Sequence, residues 1–173
     1  MDESPFDQPI DSGMFDGADV LARLDTVERR LAGHASRGAP AGLTEPDPDT
    51  PEERWEAGQV WAHIAEFVPY WHGQLRTVIA EYDGTPVAFG RTKADPGRIA
   101  AIEVGRAEPI ADHMERTTEA ITQLKRDIGA FTPAEWNAVG VHPTRGELDV
   151  EAILERFIVE HLEEHADQLD SLG

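Results

Sequence analysis

The sequence predicts an all-α protein: a four-helix bundle with short extra helices in its connections. Apolar residues recur at steps of three and four along four long stretches. No stretch shows the sustained two-residue alternation of a half-buried strand. Pro, Gly and capping residues gather between the stretches, where helices should start and stop.

Taken in order, residues 1–13 are acidic and interrupted by prolines, and are expected to form a flexible acidic arm. Residues 14–173 are expected to make one helical bundle domain. A helical pattern begins near Asp16, with Val20, Leu24, Val27 and Leu31 on one face and Asp16 or Asp19 as its cap. Ser36 to Pro48 reads as a connection. Thr50-Pro51-Glu52-Glu53 then has the form of a helix start. The stripe behind it runs Val60, Ile64, Phe67, Trp71, Leu75, Val78 and Tyr82. Pro69 should kink this helix, because its ring removes a backbone donor and frees the carbonyl of Ala65.

Asp95-Pro96 starts a short helix ending near Gly105, and Pro109 falls in the first turn of the next long one. That helix presents Ile110, Met114, Ile121, Leu124 and Ile128. Thr132-Pro133-Ala134-Glu135 is a second capping signature, and Val139 to Glu147 reads as a loop. Asp149 caps the last helix, whose inward residues are Val150, Ile153, Leu154, Phe157, Ile158, Leu162 and Leu169.

Composition narrows the function. Fifteen Lys and Arg against 34 Asp and Glu leave a formal charge of −19 over 173 residues. Such a chain repels phosphate backbones and anionic bilayers, so neither nucleic acid nor membrane is an expected partner. No apolar run approaches the roughly 20 residues of a membrane span, and the first residues lack a signal-peptide pattern, so a cytoplasmic location is expected. With no cysteine, the chain has no disulfide, no thiolate nucleophile and no Cys-based metal site.

Histidine and carboxylate remain as ligands. His161 and His165 are one helical turn apart and continue the inward stripe of the last helix. His63 lies on the inward stripe of the second helix. Three inward imidazoles on two helices suit a three-histidine metal site with open positions, as readily as they suit core histidines bonded to neighbouring helices. His161-Leu162-Glu163-Glu164-His165 also matches the inverted zinc-protease string, but too few residues follow for that family's distant third ligand. A ferritin-like Glu-x-x-His pattern fails, since Val60, Ile158 and Leu162 occupy the required positions. His72 faces away from His63 and is expected to be solvated, and His34 and His113 are expected at the surface. His142 and Arg145, in the loop before the last helix, either cap the bundle or meet a bound anion.

Three segments together resemble the DinB/YfiT-like superfamily of metal-binding helical bundles: Trp61-Ala62-His63-Ile64-Ala65-Glu66, the loop His142-Pro143-Thr144-Arg145-Gly146-Glu147-Leu148, and the run from His161 to Leu169. The resemblance spans roughly residues 16–172. It implies an up-down-down-up bundle, often dimeric, in which His63, His161 and His165 bind a divalent metal, most commonly zinc or nickel. It also implies transfer or isomerisation with a low-molecular-weight thiol such as mycothiol or bacillithiol, although other members are described as metal hydrolases. No substrate residue of the family maps onto this chain, so no catalytic residue is assigned.

The expected function is therefore a metal-dependent enzyme acting on a small-molecule substrate with a thiol cosubstrate. The alternatives are a metal-dependent hydrolase, with Glu66 or Glu160 as base, and a non-catalytic metal-binding stress-related bundle. A homodimer is expected, with Trp55, Phe89, Phe131 and Trp136 available for apolar contacts.

Overall fold

A computed structural model describes residues 17–172, so the expected arm at 1–13 lies outside the described residues. Helix α1 spans Ala18–Arg37, α2 Ala57–Glu81, α3 Pro96–Gly105, α4 Ile110–Ile128 and α5 Pro133–Trp136. The last helical run has three parts: α6 at Val150–Leu154, a π-helical turn at Glu155–Val159, and α7 at Glu160–Leu172. The protein is thus mostly helical. One apolar core gathers Leu24 and Leu31 of α1, Phe67 and Leu75 of α2, Ile121 and Leu124 of α4, and Leu154 and Leu162 of the last run.

The apolar stripes explain this packing. Val20, Leu24, Val27 and Leu31 are all buried in α1, as the three-and-four spacing requires. Helix α2 is buried on more than one side, because α3, α4 and the last run all pack on it. This overturns the expectation for His72, which is buried and donates from Nε2 to Asp127 Oδ2 of α4 at 2.7 Å. His34 and His113 are also buried rather than on the surface. His34 pairs with Asp170 of α7 at 2.8 Å, and His113 donates to the carbonyl of Gly105 at 2.9 Å.

Helix α2 begins at Ala57, several residues beyond the Thr50-Pro51 signal. Its capping box is Glu56 with Gln59, while Thr50 and Glu53 close a local turn instead. Pro69 sits on the exposed side of α2, and the helix continues through it. Gly17, rather than Asp16 or Asp19, occupies the N-cap of α1. Thr132 with Glu135 and Asp149 with Ala152 cap α5 and α6 as expected.

Three short strands, which the sequence does not predict, form one sheet. Strand β1 at Val87–Ala88 pairs parallel with β2 at Val139–His142, and β2 pairs antiparallel with β3 at Gly146–Asp149. Strands β1 and β2 lie against α2, and β3 against α6. The segment expected as a loop is thus a hairpin, with Arg145 in its turn and Asp149 delivered at its end as the cap of α6. Gly90, just beyond β1, has φ +88°, and a Cβ there would stand 2.4 Å from the ring of His142, so only glycine fits.

Trp55 and Phe89 belong to the core and are closed to any partner chain. Phe131 and Trp136 meet edge to face against that core. Among the described residues, no helix is long and apolar enough to cross a membrane.

Candidate metal centre

The π-helical turn sets the geometry of the last run. A turn closed five residues back holds about one residue more than an α turn. That extra residue keeps Leu154 before the turn, Ile158 within it, and Leu162, Ala166 and Leu169 after it on the core. Phe157 is left only partly buried, on the wall of a cleft, and His161 and His165 face α2.

One ring nitrogen from each of His63, His161 and His165 lies within 4.8 Å of the others. His63 Nε2 stands 3.3 Å from His161 Nε2, and the His161 and His165 ring centroids are 4.7 Å apart. The structure therefore brings together the three residues singled out by the sequence. Phe67 stacks on His161 at 4.2 Å, and Trp55 lies parallel to His165 at 6.1 Å.

Trp55 arrives on the connection between α1 and α2. There its N–H donates to Thr44 Oγ1, and the Thr44 N–H donates to the Trp55 carbonyl. These bonds draw the two ends of the 44–55 segment together and hold Trp55 over the histidines. Periodicity carries no information about such a contact.

The outer nitrogens of the trio are held from behind. His165 Nδ1 donates to Gln168 Oε1 at 2.7 Å, which leaves Nε2 unprotonated, buried and without a partner. Backbone at Phe157 supports the His161 ring. His63 Nδ1 faces Glu66 Oε2 at 3.6 Å, just beyond hydrogen-bond reach, and neither atom has another partner. Glu66 Oε1 is bound by Arg91, which Asp95 also flanks at 3.6 Å.

Burial favours the neutral imidazole at all three positions. It pushes His63 and His161 well below the usual histidine range, with the neighbouring histidines adding to the effect. It takes His165 down to about 4. Neutral imidazoles with converging lone pairs are the form a divalent cation requires, and an orphaned buried nitrogen is the mark of a missing partner. The residues fit a metal.

Two spaces adjoin the trio. An inner chamber of about 140 Å³ is bordered by all three histidines, Trp55 and Gln168. An outer cleft of about 700 Å³ reaches His63 and His161 from solvent, past Trp71, Phe157, Arg145 and Arg156. His142 also lines this cleft, but both its ring nitrogens are engaged, one with the Arg91 carbonyl and the other with Thr144. His142 is thus a peg between Gly90 and Phe157, while Arg145 is open to a ligand. Arg98 and Glu164 border both spaces, and sequence reasoning named neither as a site residue.

The family model described as the DinB superfamily matches residues 23–169. No curated protein matches the sequence. Among solved structures, a crystal structure of a mutant of a mycothiol-dependent maleylpyruvate isomerase is similar, with TM-score 0.63 and 12% identity. The match covers 87% of this chain and 59% of that one, so this chain spans less than two thirds of its neighbour. At that identity the likeness is one of fold.

Proposed function

This chain belongs to the DinB superfamily, and on that premise we propose that it is a metal-dependent enzyme working with a small thiol cosubstrate. His63, His161 and His165 would hold the cation, with zinc or nickel the expected ion. The observation that carries the proposal is the orphaned Nε2 of His165, buried among two other neutral imidazoles whose nitrogens face it. When bound, the cation supplies Lewis acidity that lowers the pKa of a thiol or a water presented at its open side.

The chain has no cysteine, so a thiolate nucleophile must arrive with the cosubstrate. A low-molecular-weight thiol of the mycothiol kind, named for the structural neighbour, suits that need. Trp71 and Phe157, stacked at 4.4 Å, form an apolar wall that can orient a substrate and exclude water. Glu66 is held by Arg91 through one oxygen and faces His63 Nδ1 with the other, which makes it a positioning residue rather than the base. Glu164, whose carboxyl is pushed up by burial and by Glu160, borders both spaces and can accept a proton there.

That same carboxylate supports a second reading, a metal-dependent hydrolase. The proposal also includes a single domain over 14–173, the up-down-down-up bundle order and a homodimer in the cytoplasm, the dimer to be read by light scattering. Elemental analysis should find about one divalent ion per chain, and His161→Ala should lose most of it. Equal metal in both proteins would defeat the assignment. Turnover of electrophiles that requires added thiol supports transfer, turnover without thiol supports hydrolysis, and metal with no turnover supports a binding protein.

A further inference from the structure

Five of the 15 Lys and Arg residues line the outer cleft: Arg91, Lys93, Arg98, Arg145 and Arg156. Four carboxylates, Asp47, Asp49, Glu160 and Glu164, line it too. In a chain of charge −19 the cleft is thus a locally less negative place, where an anion is repelled least. Two of the five are already matched. Arg91 is held by Glu66 and Asp95, and Lys93 by Asp47 at 2.7 Å and Asp49 at 3.6 Å.

Arg98 is not matched. Among the described residues no carboxylate lies within ion-pair distance of its guanidinium. That group makes one hydrogen bond, from Nη1 to the Lys93 carbonyl at 3.0 Å. Of the five N–H bonds a guanidinium carries, four are left without a protein acceptor. The group also lies over the Trp55 ring, 5.5 Å from its centroid, on the boundary between cleft and inner chamber. Its charge acts on all three histidines of the trio. Burial lowers the Arg98 pKa, with Glu53 opposing the shift from beyond ion-pair distance.

We propose that Arg98 anchors the carboxylate of a small substrate, seating it between the histidine chamber and the aromatic wall of the cleft. A guanidinium fork matches a planar carboxylate with two parallel hydrogen bonds. Trp71 and Phe157 offer that molecule an apolar surface, and Arg145 and Arg156, exposed and without ion-pair partners among the described residues, draw it toward the mouth. A singly charged carboxylate suits the site better than a phosphate. Asp47, Asp49, Glu160 and Glu164 also line the cleft, and they repel a dianion more strongly.

The inference deepens the enzyme reading by naming a substrate class, and its test separates the two. Benzoate, benzamide and inorganic phosphate are titrated by calorimetry and ligand-observed NMR, with zinc content measured on the same samples. Benzoate should bind the wild-type protein and benzamide, equal in shape but neutral, should not. Arg98→Met should weaken benzoate at least about tenfold, the loss of a charge-assisted pair, with zinc content unchanged. Arg98→Lys, which keeps the charge and loses the fork, should fall between them and serves if the Met variant does not fold. His161→Ala should still bind benzoate, more weakly. Benzoate binding through Arg98 without zinc refutes the metal reading alone. Zinc without benzoate binding, equal benzoate affinity in Arg98→Met, equal binding of benzamide, or phosphate binding tighter than benzoate overturns the carboxylate site.

Discussion

Glu66 faces His63 Nδ1 across 3.6 Å while Arg91 grips its other oxygen. A carboxylate in that place fixes the proton on Nδ1 and turns Nε2 toward the other two histidines. Glu66→Gln should therefore leave about one metal per chain but weaken its affinity roughly 10–100-fold, as read by competition with a chromophoric chelator. Unchanged affinity would remove Glu66 from the site. At this scale much was legible. His63, His161 and His165 sit on apolar stripes whose phase places them inside, and Glu66 follows His63 at a spacing that puts the two on one face. Arg98 and Trp55 were not legible as site residues. The path of a connection brings them to the histidines, and no period in the sequence records that path.

The elements divide along the same line. Long helices with one apolar stripe declare themselves, and the short strands do not. Strands β2 and β3 hold four residues each, including Gly140, Gly146, Glu147 and Asp149, all poor strand formers. Gly140 packs under Phe89 and beside Val78 of α2, and His142 under Gly90, contacts between segments far apart in sequence. Their task is delivery, since β3 ends on Asp149, whose Oδ1 accepts from the Ala152 N–H at 2.8 Å. Asp149→Ala should cost about 0.5–2 kcal/mol of stability by urea unfolding. No loss would mean that the hairpin alone fixes the start of the last run. The surface expectations for His34, His72 and His113 failed for a related reason. Each is buried by a partner element, α7, α4 and α3 respectively, whose placement sequence spacing does not give.

For the whole molecule, three neutral histidines, His63 and His165 buried and His161 partly so, tie stability to pH. In the unfolded chain a histidine titrates near about 6.5; folded, these three sit lower, His165 at about 4. Between those values the unfolded state binds more protons, so stability rises with pH across the window and falls on acidification through it. In metal-free protein His165 alone should withdraw about 2 kcal/mol between about pH 6.5 and 5, at about 1.4 kcal/mol per unit. Urea midpoints across that range should slope less in His165→Leu than in wild type, and equal slopes would contradict it. The rest of the fold is laced by bridges from α1 to its neighbours: Arg23 takes Glu163 of α7 at 2.7 Å, Arg30 takes Asp167 and Asp170, and Lys125 of α4 takes Asp25 and Glu28. The π turn between them has a consequence in genetic terms. Loss of one codon from an α-helix rotates everything downstream by about 100°, which here would swing both histidines off their partners. Within Glu155–Val159 the same loss relaxes the turn to plain α-helix and leaves the flanks in phase. This is the place in the last run where a three-base deletion can be inherited without unmaking the core.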